Sequence, residues 1–137
     1  MKGTYIIIAE LDEAQDIKVG RRHRFFFKKG FYGYIGSALG SLESRLERHL
    51  KQGKPHWHID YLLNHASIRM IVCAETSQKR ECLVAQDLSR QIPSIKGFGS
   101  TDCKCSSHLF FCDDLESLRK RAESAFNKLS LEPWVIY

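Results

Sequence analysis

Proline occurs three times in the 137 residues and nowhere gathers with serine into a linker. The chain also lacks low-complexity tracts and internal repeats, so fibrous, repeat and disordered classes are set aside. No apolar run approaches the roughly 18 residues of a membrane span. The opening "MKGTYIIIAELDE" turns acidic after a short apolar stretch and has no small-residue cleavage site, so a first strand is expected there and not a signal peptide. The cysteines (Cys73, Cys82, Cys103, Cys105 and Cys112) are odd in number and do not suggest a secreted disulfide framework. Reduced thiols in an intracellular, cytoplasmic protein without membrane attachment are expected. What remains is one domain over residues 1–137, long enough for a hydrophobic core without staples.

Charge is present and unevenly placed. Net charge is +5, yet Lys18 to Lys54 carries ten Lys or Arg against two acids, Glu43 and Glu47. Within it, "GRRHRFFFKKGFYGY" interleaves cations with aromatics, the electrostatic footprint of a polyanion binder. A solvated face whose cations guard strand edges is the structural alternative.

Periodicity places the elements. "GTYIIIAEL" reads as a β-branched strand, and "DEAQDIKVG" as a turn followed by strand. "RRHRFFFKKGFYGYIGSA" reads as a hairpin turning at Lys28-Lys29-Gly30. "SLESRLERHLKQG" is a helix with Ser41 as N-cap, Gly53 as its stop and Leu42, Leu46 and Leu50 as its apolar stripe. Arg45 and His49 share one edge of that stripe, while Arg48 turns towards solvent. A short helix in "PHWHIDYLLNH" and a strand in "ASIRMIVCAE" follow. The helix in "SQKRECLVAQDLSRQ" buries Val84, Ala85, Leu88 and Ile92, with Glu81 at the head of the stripe. A carboxylate there is costly unless paired or bound to a metal, although a first-turn acid is also favoured by the helix dipole. A glycine-rich loop, a Cys/His turn, a short strand, a helix capped by Asp113 or Asp114, and "PWVIY" complete the order. The fold class is mixed α/β (α+β), a small, mostly antiparallel sheet flanked by helices.

"FYGYIGSA" sets two glycines among three aromatics, a pattern kept for close backbone approach or a special turn. "GTY" at residues 3–5 and "YIG" at 34–36, with Arg45 on the next helix, resemble the GIY-YIG nuclease family. More narrowly, the chain is similar to the stand-alone Uri-type or DUF123 branch. "GTYIII", "FYGYIGSALGSLESRLERHL", "HWHIDYLL" and "GFGSTDCKCSSHLF" carry that likeness, over roughly Lys2 to Phe111.

The resemblance implies a metal-dependent endonuclease acting on DNA, possible RNA substrates being left open. It implies that Glu81 holds Mg²⁺ or Mn²⁺, with Glu75 as the runner-up. Arg45 would clamp the scissile phosphate, Tyr5 and Tyr34 would line the site with one relaying a proton, and His49 would hydrogen-bond within it. Gly33 and Gly36 would let a DNA backbone and neighbouring elements come close, and Ser37 with the turn behind it would donate to phosphate. Arg21, Arg22, Arg24, Lys28, Lys29 and Arg48, with His56 and His58, would lie along the nucleic acid. Thr4 departs from the family's motif, but its side chain is expected on the face away from the tyrosines. The longer Tyr5–Tyr34 spacing reflects the basic insertion around Arg21 to Lys29. No residues remain for a targeting domain, so specificity is expected to be weak, supplied by a partner, or directed to DNA structure.

Each role has a blander counterpart. The tyrosines read equally as amphipathic sheet residues, and Arg45 as a surface residue paired with an acid. A nucleic-acid-binding module without catalysis is the main alternative function. Outside the nuclease pattern, "HWHID" supplies His56, His58 and Asp60, and "DCKCSSH" supplies Asp102, Cys103, Cys105 and His108. Cys103, Cys105 and His108 have zinc-ligand types but not the CxxC spacing, so a hydrogen-bonded turn is the expected reading and a zinc-stabilised interaction domain the lesser one.

Overall fold

A computed structural model describes residues 1–51, 55, 57–100 and 103–136. Gly53, His56 and Asp102 lie outside the described residues. Strand β1 (Gly3–Leu11) is the hub, because its isoleucine run is apolar on both faces and suits the middle of a sheet. It pairs antiparallel with β4 (Gly30–Ala38) on one side and β5 (Ser67–Glu75) on the other. Outer strands β6 (Leu109–Cys112) and β7 (Trp134–Ile136) complete an antiparallel sheet in the order β6-β4-β1-β5-β7. The expected fold class holds.

Alternation along the strands divides the core in two. Tyr5, Ile7, Tyr32 and Tyr34 face α1 (Leu42–Leu50) and α2 (His58–Leu63), within one buried cluster that includes Leu42, Leu46, Ile59 and Leu62. Ile6, Ile8, Ile35 and Val72 face the other way, towards α3 (Glu81–Ser89) and α4 (Leu115–Lys128). Val84, Ala85 and Leu88 of α3 are buried as expected, and the Asp114 side chain caps α4 by accepting from the Ser117 N–H at 2.8 Å. Among the described residues no helix is long and apolar enough to cross a membrane.

Two expectations need correction. The hairpin turns earlier: β2 (Gln15–Val19) pairs with β3 (His23–Phe27) in a separate two-stranded sheet, beside a left-handed Gly20 at φ 69°. Lys28 and Lys29 are the crossing into the main sheet. The reason is burial. In β3, Phe25 and Phe27 turn inward while Arg24 and Phe26 are exposed, so this strand has one apolar face. β4 is apolar on both faces and takes a central position between β1 and β6. Second, Ser41 does cap α1, accepting from Ser44 N–H at 3.1 Å, but Leu50 is 55% exposed at its end. The third buried position of α1 is His49.

Candidate active site

Register sets the centre of the site. Tyr5 lies opposite Gly36 and Ile7 opposite Tyr34, so the two tyrosines are diagonal neighbours on one face. β6 pairs with β4 only from Phe31 to Tyr34. Around the last residues of β4 opens a cleft of about 570 Å³, lined by Tyr5, Tyr34 and Ser37 of the sheet, Arg45, Trp57, His58 and Glu81. Lys79, Gly99 and His108 also reach it. Gly36 makes room for the phenol of Tyr5, since a Cβ there would stand 2.4 Å from the tyrosine oxygen. A Cβ on Gly33 would meet Ile6 and Leu118 at ordinary van der Waals distance. Gly33 therefore faces α4, while Gly36 admits the neighbouring Tyr5, the close approach expected of a glycine at this place.

Behind the cleft runs a buried hydrogen-bonded chain. The Tyr5 hydroxyl is 2.9 Å from His49 Nε2, and His49 Nδ1 is 3.1 Å from Asp60 Oδ1. The other Asp60 oxygen accepts from the Trp57 N–H at 2.8 Å, which fixes the carboxylate at the start of α2. With the imidazole neutral, its Nδ1–H donates to Asp60 and Nε2 is left to accept from Tyr5. Burial pushes the Tyr5 phenol up to about 12, and the Arg45 guanidinium beside it opposes that rise.

Arg45 and Glu81 line the cleft beside the tyrosines. Arg45 donates to the Ser37 carbonyl at 3.2 Å and lies 4.6 Å over the Trp57 ring, while exposed Arg48 lies 4.9 Å over the same ring. Glu81, first residue of α3, accepts a hydrogen bond from the Ser37 hydroxyl. That oxygen is 3.3 Å from Thr4 Oγ1, so Thr4 faces away from the tyrosines as expected and supports Ser37. The Ser37 hydroxyl, expected to donate to phosphate, is engaged with Glu81 instead. Glu75 is exposed at the end of β5 and is not among the residues lining the cleft.

The glycine-rich loop before β6 closes one wall. Gly99 holds φ +71°, and a Cβ there would stand 2.8 Å from the Tyr34 ring. Its N–H donates to His58 Nδ1 at 3.0 Å. Burial, and after it the electrostatic influence of nearby His23, lowers the His58 pKa, in keeping with a ring nitrogen that accepts. His23 lies 5.9 Å from His58, ring to ring, so the β2–β3 hairpin reaches the rim of the cleft. Arg21, Arg22, Arg24, Lys28 and Lys29 are exposed on the hairpin and its exit.

Trp57 was not among the expected site residues, and Asp60, singled out in "HWHID", had no expected role or partner. Cys82 was missed as well. Its sulfur, those of Cys103 and Cys105, and His108 Nε2 form a cluster whose ligand atoms lie within 4.8 Å of one another, close enough to hold one metal ion. Burial raises the Cys82 thiol to about 12 and also raises Cys105, so neither is an activated nucleophile. A family model described as a domain of unknown function, DUF123, matches residues 4–131. No curated protein and no solved structure matches the chain.

Proposed function

We propose that this chain, which belongs to the DUF123 family, is a metal-dependent endonuclease hydrolysing DNA phosphodiester bonds in the manner of the GIY-YIG nucleases its motifs resemble. One observation carries the reading. Tyr5, Tyr34, Arg45 and Glu81 arrive from β1, β4, α1 and α3 at a single cleft, with His49 hydrogen-bonded behind Tyr5. Phosphodiester hydrolysis asks for a deprotonated water, compensation of charge on the nonbridging oxygens and a positioned phosphate.

The residues divide these tasks. Arg45, steadied by the Ser37 carbonyl and the Trp57 ring, offers a planar fork to the phosphate. A phenol held protonated is a poor base by itself, so Tyr5 takes a proton from water only as its own passes to His49 Nε2. Asp60 then stabilises the imidazolium. Glu81, oriented by Ser37, would hold Mg²⁺ or Mn²⁺. One carboxylate facing a cleft with room for phosphate and water fits the way such ions are bound. When bound, the ion supplies polarisation of the phosphate oxygens.

Cleavage of labelled single-stranded, duplex, flapped and bubbled DNA, with RNA counterparts, tests the reading. Wild type should cut in Mg²⁺ or Mn²⁺ and not in EDTA. Arg45→Ala and Glu81→Gln, still folded, should lose activity by about 10²-fold or more. The second reading, a binding module without catalysis, is favoured by the outer face of the hairpin. There Phe26 is 62% exposed and Arg24 stands opposite Lys18, a surface suited to stacking against single strands. Binding without cutting, undiminished in Glu81→Gln, would establish that module in place of the nuclease.

A further inference from the structure

The thiol cluster takes no part in the proposed hydrolysis, and its geometry has its own logic. Cys82 stands in the first turn of α3, Cys103 and Cys105 on the loop after that helix, and His108 just before β6. His108 Nε2 lies 3.5 Å from Cys103 Sγ and 3.8 Å from Cys82 Sγ. Tetrahedral zinc, with Zn–S near 2.3 Å and Zn–N near 2.0–2.1 Å, sets nitrogen–sulfur edges of about 3.6 Å. Both separations fit such an edge. We infer that Cys82, Cys103, Cys105 and His108 form a closed, structural Cys₃His zinc site.

The chemistry selects the ion. Three sulfurs and one imidazole are soft and borderline donors, matched to zinc and unsuited to Mg²⁺ or Ca²⁺. All five cysteines are free thiols, and a disulfide within the cluster would leave its third sulfur and His108 unused. Four protein ligands fill a tetrahedral shell, so no position is left for water and the role is structural. On binding, each of the three thiols gives its proton to solvent, and the ion accepts three sulfur lone pairs and one from nitrogen. The resulting centre carries one net negative charge, and Lys104 lines the same recess as Cys82 and Cys105.

The scaffold around His108 is already fixed. Its N–H donates to the Phe98 carbonyl at 2.8 Å, and its carbonyl accepts from Ile35 N–H at 3.0 Å. Zinc at this point would join α3, the glycine-rich loop and the entry to β6. Cys82 is the neighbour of Glu81, and His108 itself lines the cleft. The ion would thus hold the start of α3 and the Gly99 wall in place from outside the reaction. This inference does not rest on the nuclease reading, because its readout is metal content.

Elemental analysis of the full chain, purified and dialysed against metal-free buffer, is the test. About one zinc per chain is expected. Cys82→Ser and Cys103→Ser should each bind zinc at least about tenfold more weakly, while Cys112→Ser, outside the cluster, should keep its full content. Because a ligand variant can fail to fold, the wild type is also stripped and reloaded with Co²⁺. Intense visible bands of a tetrahedral site and a sulfur-to-cobalt charge-transfer band, saturating at one equivalent, are expected. A wild type that holds no zinc and gives no such spectrum overturns the site, as does an unchanged zinc affinity in Cys82→Ser.

Discussion

At Gly36 a single hydrogen decides whether Tyr5 can occupy its place. A methyl group would sit 2.4 Å from the phenol oxygen and 2.5 Å from its ring carbon, and Tyr5 is 1% exposed with nowhere to withdraw. Gly36→Ala should therefore cost roughly 1–3 kcal/mol in urea unfolding, as overpacked cores do, and should abolish cleavage by displacing the Tyr5–His49 bond. Gly33→Ala is the contrast. Its Cβ would find Ile6 and Leu118 at 3.4–3.6 Å, so stability and cleavage should survive, and a loss equal to that of Gly36→Ala would refute the division of roles. Asp60 offers a second test at this scale. Asp60→Asn keeps the shape but removes the charge facing His49 Nδ1. The turnover number should fall by about 10²-fold with DNA affinity retained. An unchanged turnover would remove His49 and Asp60 from the proton path.

Among elements, the β2–β3 hairpin is the piece whose removal from the electrostatics is easiest to measure. Arg21, Arg22 and Arg24 are exposed there, and the hairpin meets the cleft through His23 and His58. Replacing the three arginines by Gln should weaken DNA binding and flatten the plot of log K against log salt by about 0.9 for each phosphate no longer neutralised. The fold should stand, because these side chains pack on nothing in the core. An unaltered slope would place the nucleic acid elsewhere. The hairpin also marks where the sequence was hard to read. A glycine after two lysines is a local turn signal, but strand partners are chosen by burial of distant residues, and β4 pairs with β1 and β6 instead of β3. Helix α1 was legible because its cap, its Leu42–Leu46 stripe and the Arg45–His49 edge are all local. Asp60 could not be assigned a partner, because its bond to His49 spans two helices. Cys82 escaped for the same reason. Its companions lie beyond the rest of α3 and the glycine-rich loop, and no spacing rule joins them.

For the whole molecule, His58 is the point where pH reaches the architecture. Its ring lies where α2, the β3 end of the hairpin and the Gly99 loop meet. The Gly99 N–H donates to Nδ1, so the bond requires that nitrogen to be unprotonated. Burial and the nearby His23 lower the folded-state pKa below the ordinary histidine value. The unfolded chain then takes up a proton at a higher pH than the folded one. Above roughly pH 6.5 both states hold His58 neutral and it adds no pH dependence. As pH falls below that value, the unfolded state gains a proton first and stability declines, until the folded-state pKa is passed and the loss levels off. His58→Asn places a non-titrating carbonyl oxygen near Nδ1, so it can still accept from Gly99. Urea unfolding between about pH 7.5 and 5 should show the wild type losing stability more steeply than this variant. Parallel curves would mean that acid acts through other groups and that the Gly99–His58 bond does not govern the loop. A difference confined to the acid side would show that three separate elements are held together by one uncharged imidazole.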